Sequence, residues 1–134
     1  MRKGNINHSV CSWCYPNLSL EELCIEAKRI GLVGIDLVKP KDFQVLKKYG
    51  LTSSMTEGAE INHKESFNDP NYHSELKDRY MNHINLVSKA GFKNLICFSG
   101  NRKGMDDETG LNNCIIGLKN ILSYAEKKGV VILM

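Results

Sequence analysis

No apolar run in this chain approaches the roughly 20 residues that cross a bilayer, and the basic start, Met1–His8, has no apolar stretch behind it. The sequence is therefore read as having neither a membrane span nor a signal peptide. A basic block is also missing. Its 18 lysines and arginines stand against 15 acids for a net charge of +3, and they are scattered along helical stretches, so nothing calls for nucleic acid. No G-x-G-x-x-G follows a strand-like run and no G-x-x-x-x-G-K-[ST] occurs, which disfavours nucleotide-driven chemistry. The four histidines form no cluster, and the C-x-x-C at Cys11–Cys14 has no second pair to complete a structural zinc site. Five cysteines are an odd number in a chain too large to need staples. They point to free, mostly buried thiols in a reducing compartment, with the cytoplasm as the expected location.

What is present is a core-forming composition, 42% hydrophobic over 134 residues, arranged as an internal repeat. Four times a Lys-bearing helical stretch meets a glycine and then a short apolar run. The junctions are Gly31 before Gly34–Val38, Gly50 before Leu51–Met55, Gly91 before Asn94–Phe98, and Gly129 before Val130–Met134. Each glycine can take the left-handed conformation that ends a helix, and the neighbouring lysines offset the negative end of the helix dipole. Ser19 and Glu22 fit a capping box, with Leu20, Leu23, Cys24, Ala27 and Ile30 as one apolar stripe behind them. Asp69-Pro70 opens a second helix with Leu76, Tyr80, Ile84 and Val87 on its stripe. A third long helix begins near Asp106 and Asp107 and is expected to bury Leu111, Cys114, Ile115, Leu118, Ile121, Leu122 and Ala125. A shorter helix precedes Gly50.

With a first strand over Asn7–Trp13, five short strands alternate with four helices. That alternation implies right-handed βαβ crossovers and an α/β fold with a parallel sheet. The last run, Val130–Met134, has the composition of a strand covered on both faces, and no helix follows it. A flavodoxin-like domain has about this length, but it closes with a helix and carries a phosphate loop or an acidic cluster after its first strand; neither is found.

Against this frame the chemically interesting residues are few. Cys11-Ser12-Trp13-Cys14 stands between a strand and a helix, where a thioredoxin-like redox pair would stand. Tyr15-Pro16-Asn17 separates it from the helix cap and Cys11 falls within the strand run, so the structural reading is preferred. His73 and His83 are ten residues apart on one helix, roughly 80° from eclipsing, and are read as facing solvent or the helix flank. His8 is read as a strand residue. His63 follows the third strand in a polar stretch, Glu57–Lys64, where a barrel places a substrate loop. The fourth strand runs into Ser99-Gly100-Asn101-Arg102-Lys103-Gly104, and glycine, small polar and basic residues there offer N–H groups and a cation to a carboxylate or phosphate.

The segments Asn5–Trp13, Ile96–Arg102 and Gly104–Cys114, above all Ser99-Gly100-Asn101-Arg102 followed by Met105-Asp106-Asp107-Glu108-Thr109-Gly110-Leu111, resemble hydroxypyruvate isomerase-like proteins of the xylose isomerase-like TIM barrel superfamily. The resemblance implies the N-terminal half of a (β/α)8 barrel over residues 1–134, truncated in strand 5. It also implies interconversion of an α-hydroxy aldehyde and a hydroxy ketone, of the hydroxypyruvate to tartronate semialdehyde type, through an enediol-like intermediate. Such chemistry needs a carboxylate to move the proton and an electrophile, commonly a divalent metal, for the oxyanion. In the family a glutamate directly after the fifth strand and ligands on strands six to eight supply these groups. No catalytic residue and no metal site is therefore assigned to this chain, which is expected to be inactive alone, the metal belonging to the full-length protein. Its part is to form substrate walls for a small hydroxy-keto acid or sugar. Trp13 would stack on the substrate unless it is core, His63 and Asn101 would bond hydroxyls, Ser99 would line the wall, and Arg102 would pair with a carboxylate. The rival readings are a sugar epimerase or an abasic-site endonuclease of the same superfamily, and a non-enzymatic half-barrel that self-associates through its open edges.

Overall fold

A computed structural model describes residues 6–134; Met1–Asn5, where the leader reading and the first resembling segment begin, lie outside the described residues. The chain divides into two compact units, one ending at Glu57 and the other running from Gly58 to Met134. No helix among the described residues is long and apolar enough to cross a membrane.

In the first unit β1 (Ser9–Cys11) is followed by a 3-10 turn (Ser12–Cys14), α1 (Leu20–Ile30), β2 (Gly34–Asp36), a second 3-10 turn (Pro40–Asp42) and α2 (Phe43–Lys48). The capping box forms as expected. Ser19 Oγ accepts from the Glu22 N–H, and the Glu22 carboxylate accepts from Ser19 N at 2.8 Å and Ser19 Oγ at 2.6 Å. Those bonds hold the Glu22 carboxyl below its ordinary range. The helix ends at Gly31 in the left-handed region and buries Leu23, Cys24 and Ala27. Ile30, expected on that stripe, is 62% exposed. It sits at the edge of the arc, roughly 70° from the centre of the buried face.

The strands are shorter than the apolar runs. β1 stops at Cys11 because the chain turns at once into the 3-10 turn, which takes Trp13 out of the strand, and His8 lies just ahead of it. β2 stops at Asp36 because Leu37 adopts φ +55°. The two pair in parallel, with Ser9 opposite Gly34 and Cys11 opposite Asp36. The expected strand over Leu51–Met55 runs parallel to β2, as bonds from Ile35 N to Thr52 O and from Leu37 N to Met55 O show, but it forms only isolated bridges. The reason is Asp36. Its carboxylate accepts from the N–H of Ser54 at 2.6 Å and of Met55 at 3.2 Å, and from the hydroxyls of Ser54 and Ser9, which bends the segment out of ladder geometry.

The second unit holds a loop, a 3-10 turn (Pro70–Tyr72), α3 (His73–Ala90), β3 (Asn94–Ile96), α4 (Asp107–Lys128) and β4 (Val131–Leu133), with β3 and β4 parallel and Leu95 opposite Ile132. The described strands thus number four rather than five. Asp69 caps the turn before α3 by accepting from Asn71 N, and Gly91 and Gly129 end α3 and α4 in the left-handed region. Leu76, Tyr80, Ile84 and Val87 are fully buried with Phe67, Leu95 and Ile121. Helix α4 approaches this core through Gly117, where a Cβ would stand 2.8 Å from both Phe67 and His73. That approach orients the helix so that Cys114, Ile121 and Ala125 are buried, while Leu111, Ile115 and Leu122 are exposed and Leu118 is half-buried. The correction is one of rotation: the 111-115-118-122 stripe lies roughly a quarter turn from the packed face. His73, expected to face solvent or the helix flank, is half-buried, and its Nε2 bonds the Phe67 carbonyl at 2.8 Å.

Candidate functional site

Beyond β3 the chain continues through Cys97, whose N–H donates to Leu133 O at 2.7 Å, into the loop Phe98–Met105. A second loop, residues 62–69, lies along it. Ser66 Oγ donates to Phe98 O at 2.5 Å, Asn68 N to Ser99 O at 2.8 Å, and Asn101 N to Lys64 O at 3.1 Å. The Asn68 amide donates to Asn101 O at 2.7 Å, and Asn113 on α4 donates to Asn68 O at 2.9 Å. Ser66 and Asn68 are buried polar residues whose bonds go to the main chain, so they fix loop geometry. Gly100 has φ +104°, and a Cβ there would collide with the Asn68 side chain.

These loops and the start of α4 enclose a cavity of about 250 Å³. Asn68, Ser99, Gly100 and Arg102 line it together with Asp106, Asp107, Leu111, Cys114 and Met134. Polar and charged groups therefore stand beside an apolar floor, as a small polar ligand requires. Arg102 is held at the rim, where Nε donates to Met105 O at 2.9 Å and Nη2 pairs with Asp107 at 3.2 Å, both side chains being largely exposed. Asp106 accepts from Thr109 N at 2.9 Å as the N-cap of α4, and that bond pulls its carboxyl below the ordinary range. Burial pushes the Cys97 thiol up to about 12 and raises that of Cys114, so neither supplies a ready thiolate.

Four of the five residues singled out from sequence fall on these two loops. Ser99 and Arg102 line the cavity. His63 stands outside its lining, its ring edge-on to Phe98 at 5.0 Å between centroids, and Asn101 engages through its main chain. Trp13 belongs to the first unit, on the 3-10 turn, and is 69% exposed, so it is not a core residue. Asn68 and Asp107 were missed as site residues. Asn68 precedes the Asp69-Pro70 helix signal, and Asp107 reads as one of the helix-start carboxylates; both lie in motifs with a local structural explanation. Among the described residues no group of three or more His, Cys, Asp or Glu side chains comes together to hold a metal ion.

No protein-family model matches the chain, and no curated protein matches it. Solved structures do. An AP endonuclease, family 2, from Brucella melitensis superposes with a TM-score of 0.78 at 15% identity, covering 95% of this chain and 54% of that one. A sugar phosphate isomerase/epimerase from Parabacteroides distasonis gives 0.73 at 6% identity, covering 98% and 51%. A D-psicose 3-epimerase from Clostridium cellulolyticum H10 gives 0.71 at 12% identity, covering 95% and 51%. The chain shares the fold of about half of the TIM barrels it matches, with parallel strands. It spans about half the length of the structures it matches, and at these identities the likeness concerns the fold. The expectation of an α/β chain of parallel β/α units is met. In barrels of this kind the sites gather at the C-terminal ends of the strands, and the cavity lies beyond the C-terminal ends of β3 and β4.

Proposed function

We propose that the chain is the substrate-wall portion of an isomerase or epimerase acting on a small hydroxy-keto acid or sugar, of the hydroxypyruvate isomerase type. The observation that carries this reading is the cavity in which Ser99, Gly100 and Arg102 meet Asn68 beyond the end of β3. Arg102 is the only arginine or lysine in that lining. A bidentate guanidinium suits a substrate carboxylate, and Asp107 occupies it in the meantime. The Ser99 hydroxyl both donates and accepts, matching a hydroxyl or carbonyl of a three-carbon substrate. The divalent metal that the resemblance implies finds no ligand set among the described residues, so the contribution derived for this chain is to bind and orient. Proton removal next to the carbonyl falls to groups that the resemblance places after residue 134.

Calorimetric titration of the chain with hydroxypyruvate tests the reading, against glycerol as a ligand of similar size without the carboxylate. Binding of hydroxypyruvate that Arg102→Ala weakens is the expected result. Equal affinity of the wild-type and Arg102→Ala chains, or no binding at all, would overturn it. In a protein extended through the remaining strands, turnover of hydroxypyruvate to tartronate semialdehyde is expected.

A further inference from the structure

Cys11 and Cys14 stand at the two ends of the 3-10 turn Ser12–Cys14, with Cys11 as its N-cap residue. Cys11 ends β1 in the extended conformation and Cys14 ends the turn, and a rise of about 2 Å per residue through it puts their Cα atoms about 6 Å apart, inside the range a disulfide spans. The turn between them is held by a bond from Tyr15 N to Ser12 O at 3.2 Å. Both thiols are free. Cys14 is exposed and Cys11 partly so, whereas Cys24, Cys97 and Cys114 are buried. We propose that Cys11 and Cys14 form a reversible dithiol–disulfide site that exchanges with low-molecular-weight disulfides.

The surroundings assign each thiol a part. Cys11 lies opposite Asp36 in the β1–β2 register, and the carboxylate is fixed there by Ser9, Ser54 and the Met55 N–H. Burial, then Asp36, then Cys14 push the Cys11 thiol up, against a bond from Trp13 that lowers it. Because Cys14 is the exposed thiol and Cys11 the partly covered one, Cys14 is the entry point and Cys11 the resolving thiol. The Cys14 thiolate attacks one sulfur of oxidised glutathione and expels one glutathione thiolate. Cys11 then loses its proton to solvent, and its sulfur attacks the Cys14 sulfur of the mixed disulfide, expelling the second glutathione. Two protein thiols are oxidised by two electrons and one glutathione disulfide is reduced to two thiols, so the exchange balances. A thiolate beside a fixed carboxylate lacks the stabilisation that makes a pair strongly oxidising, so this disulfide, once formed, resists weak reductants. It closes around Trp13, the only tryptophan of the chain, and fixes the turn that presents that exposed ring.

The test incubates the chain with oxidised glutathione in mildly alkaline buffer, quenches with acid, and counts thiols by alkylation under denaturing conditions with peptide mapping. The expected result is loss of two of the five thiols, mapped to a Cys11–Cys14 linkage and restored by dithiothreitol. Cys11→Ser should instead accumulate a stable glutathione adduct on Cys14, and Cys14→Ser should keep its remaining four thiols. Retention of all five thiols by the unsubstituted chain, a linkage involving Cys24, Cys97 or Cys114, or an intermolecular disulfide through Cys14 would overturn the proposal.

Discussion

Asn68 donates its side-chain amide to the main-chain oxygen of Asn101 at 2.7 Å, and Asn113 in turn donates to the main-chain oxygen of Asn68 at 2.9 Å. The buried Asn68 thereby ties loop 62–69 to the loop after β3 and to α4. Asn68→Ala leaves Asn101 O without that donor and should destabilise the chain by about 1–3 kcal/mol. Urea denaturation followed by circular dichroism checks it; an unchanged midpoint would mean the tie is not energetically used.

Gly100→Ala should also destabilise, by about 1–3 kcal/mol, because φ +104° disfavours any Cβ and the space is taken by the Asn68 amide. The double variant Asn68→Ala/Gly100→Ala should cost less than the sum of the two single changes, since Asn68→Ala removes the collision. Thermal melts of the four chains measure the coupling.

The Arg102–Asp107 pair is a competitor for ligand. Exposed pairs contribute about 0–1 kcal/mol, so Asp107→Asn should strengthen binding of hydroxypyruvate up to roughly fivefold, while Arg102→Ala weakens it. Titration at two salt concentrations checks the electrostatic origin, because the gain should shrink as salt is added.

Acid should loosen the start of α4. The Asp106 carboxyl lies below its ordinary range through the bonds to Thr109, so the folded state binds its proton less readily than the unfolded one. Its contribution is present above the unfolded pKa and is lost as pH falls through the folded one. Asp106→Asn keeps a good cap but has nothing to titrate there. Its melting temperature should fall less than that of the natural chain as the pH is lowered through the carboxylate range.

Helix α4 leaves Leu111, Ile115 and Leu122 exposed along one stripe, at 61%, 41% and 39%. An apolar face of this size is expected to pair with a second copy of the chain, so the elution volume should fall with concentration in size-exclusion chromatography. Ile115→Glu with Leu122→Lys should abolish that dependence. A monomer at every concentration would show that the stripe is tolerated in water.

Much of this fold is written locally. The Ser19–Glu22 box, the Asp69 and Asp106 caps and the glycines at 31, 91 and 129 each mark a helix boundary through bonds made within a few residues, so the sequence alone sufficed to place the helices and four of the five expected strands in parallel alternation. Part of the cavity lining was legible, in that Ser99 and Arg102 follow a strand end. What the tertiary structure decided depends on partners distant in sequence. Asp36 bends a segment that the apolar pattern alone reads as a strand, because Ser54 and Met55 bring their N–H groups to its carboxylate. The contact at Gly117 selects which of two apolar stripes on α4 is buried, a choice that helical periodicity leaves open. Asn68 became a site residue because its hydrogen bonds close a gap of more than thirty residues, and no local motif encodes bonds of that reach.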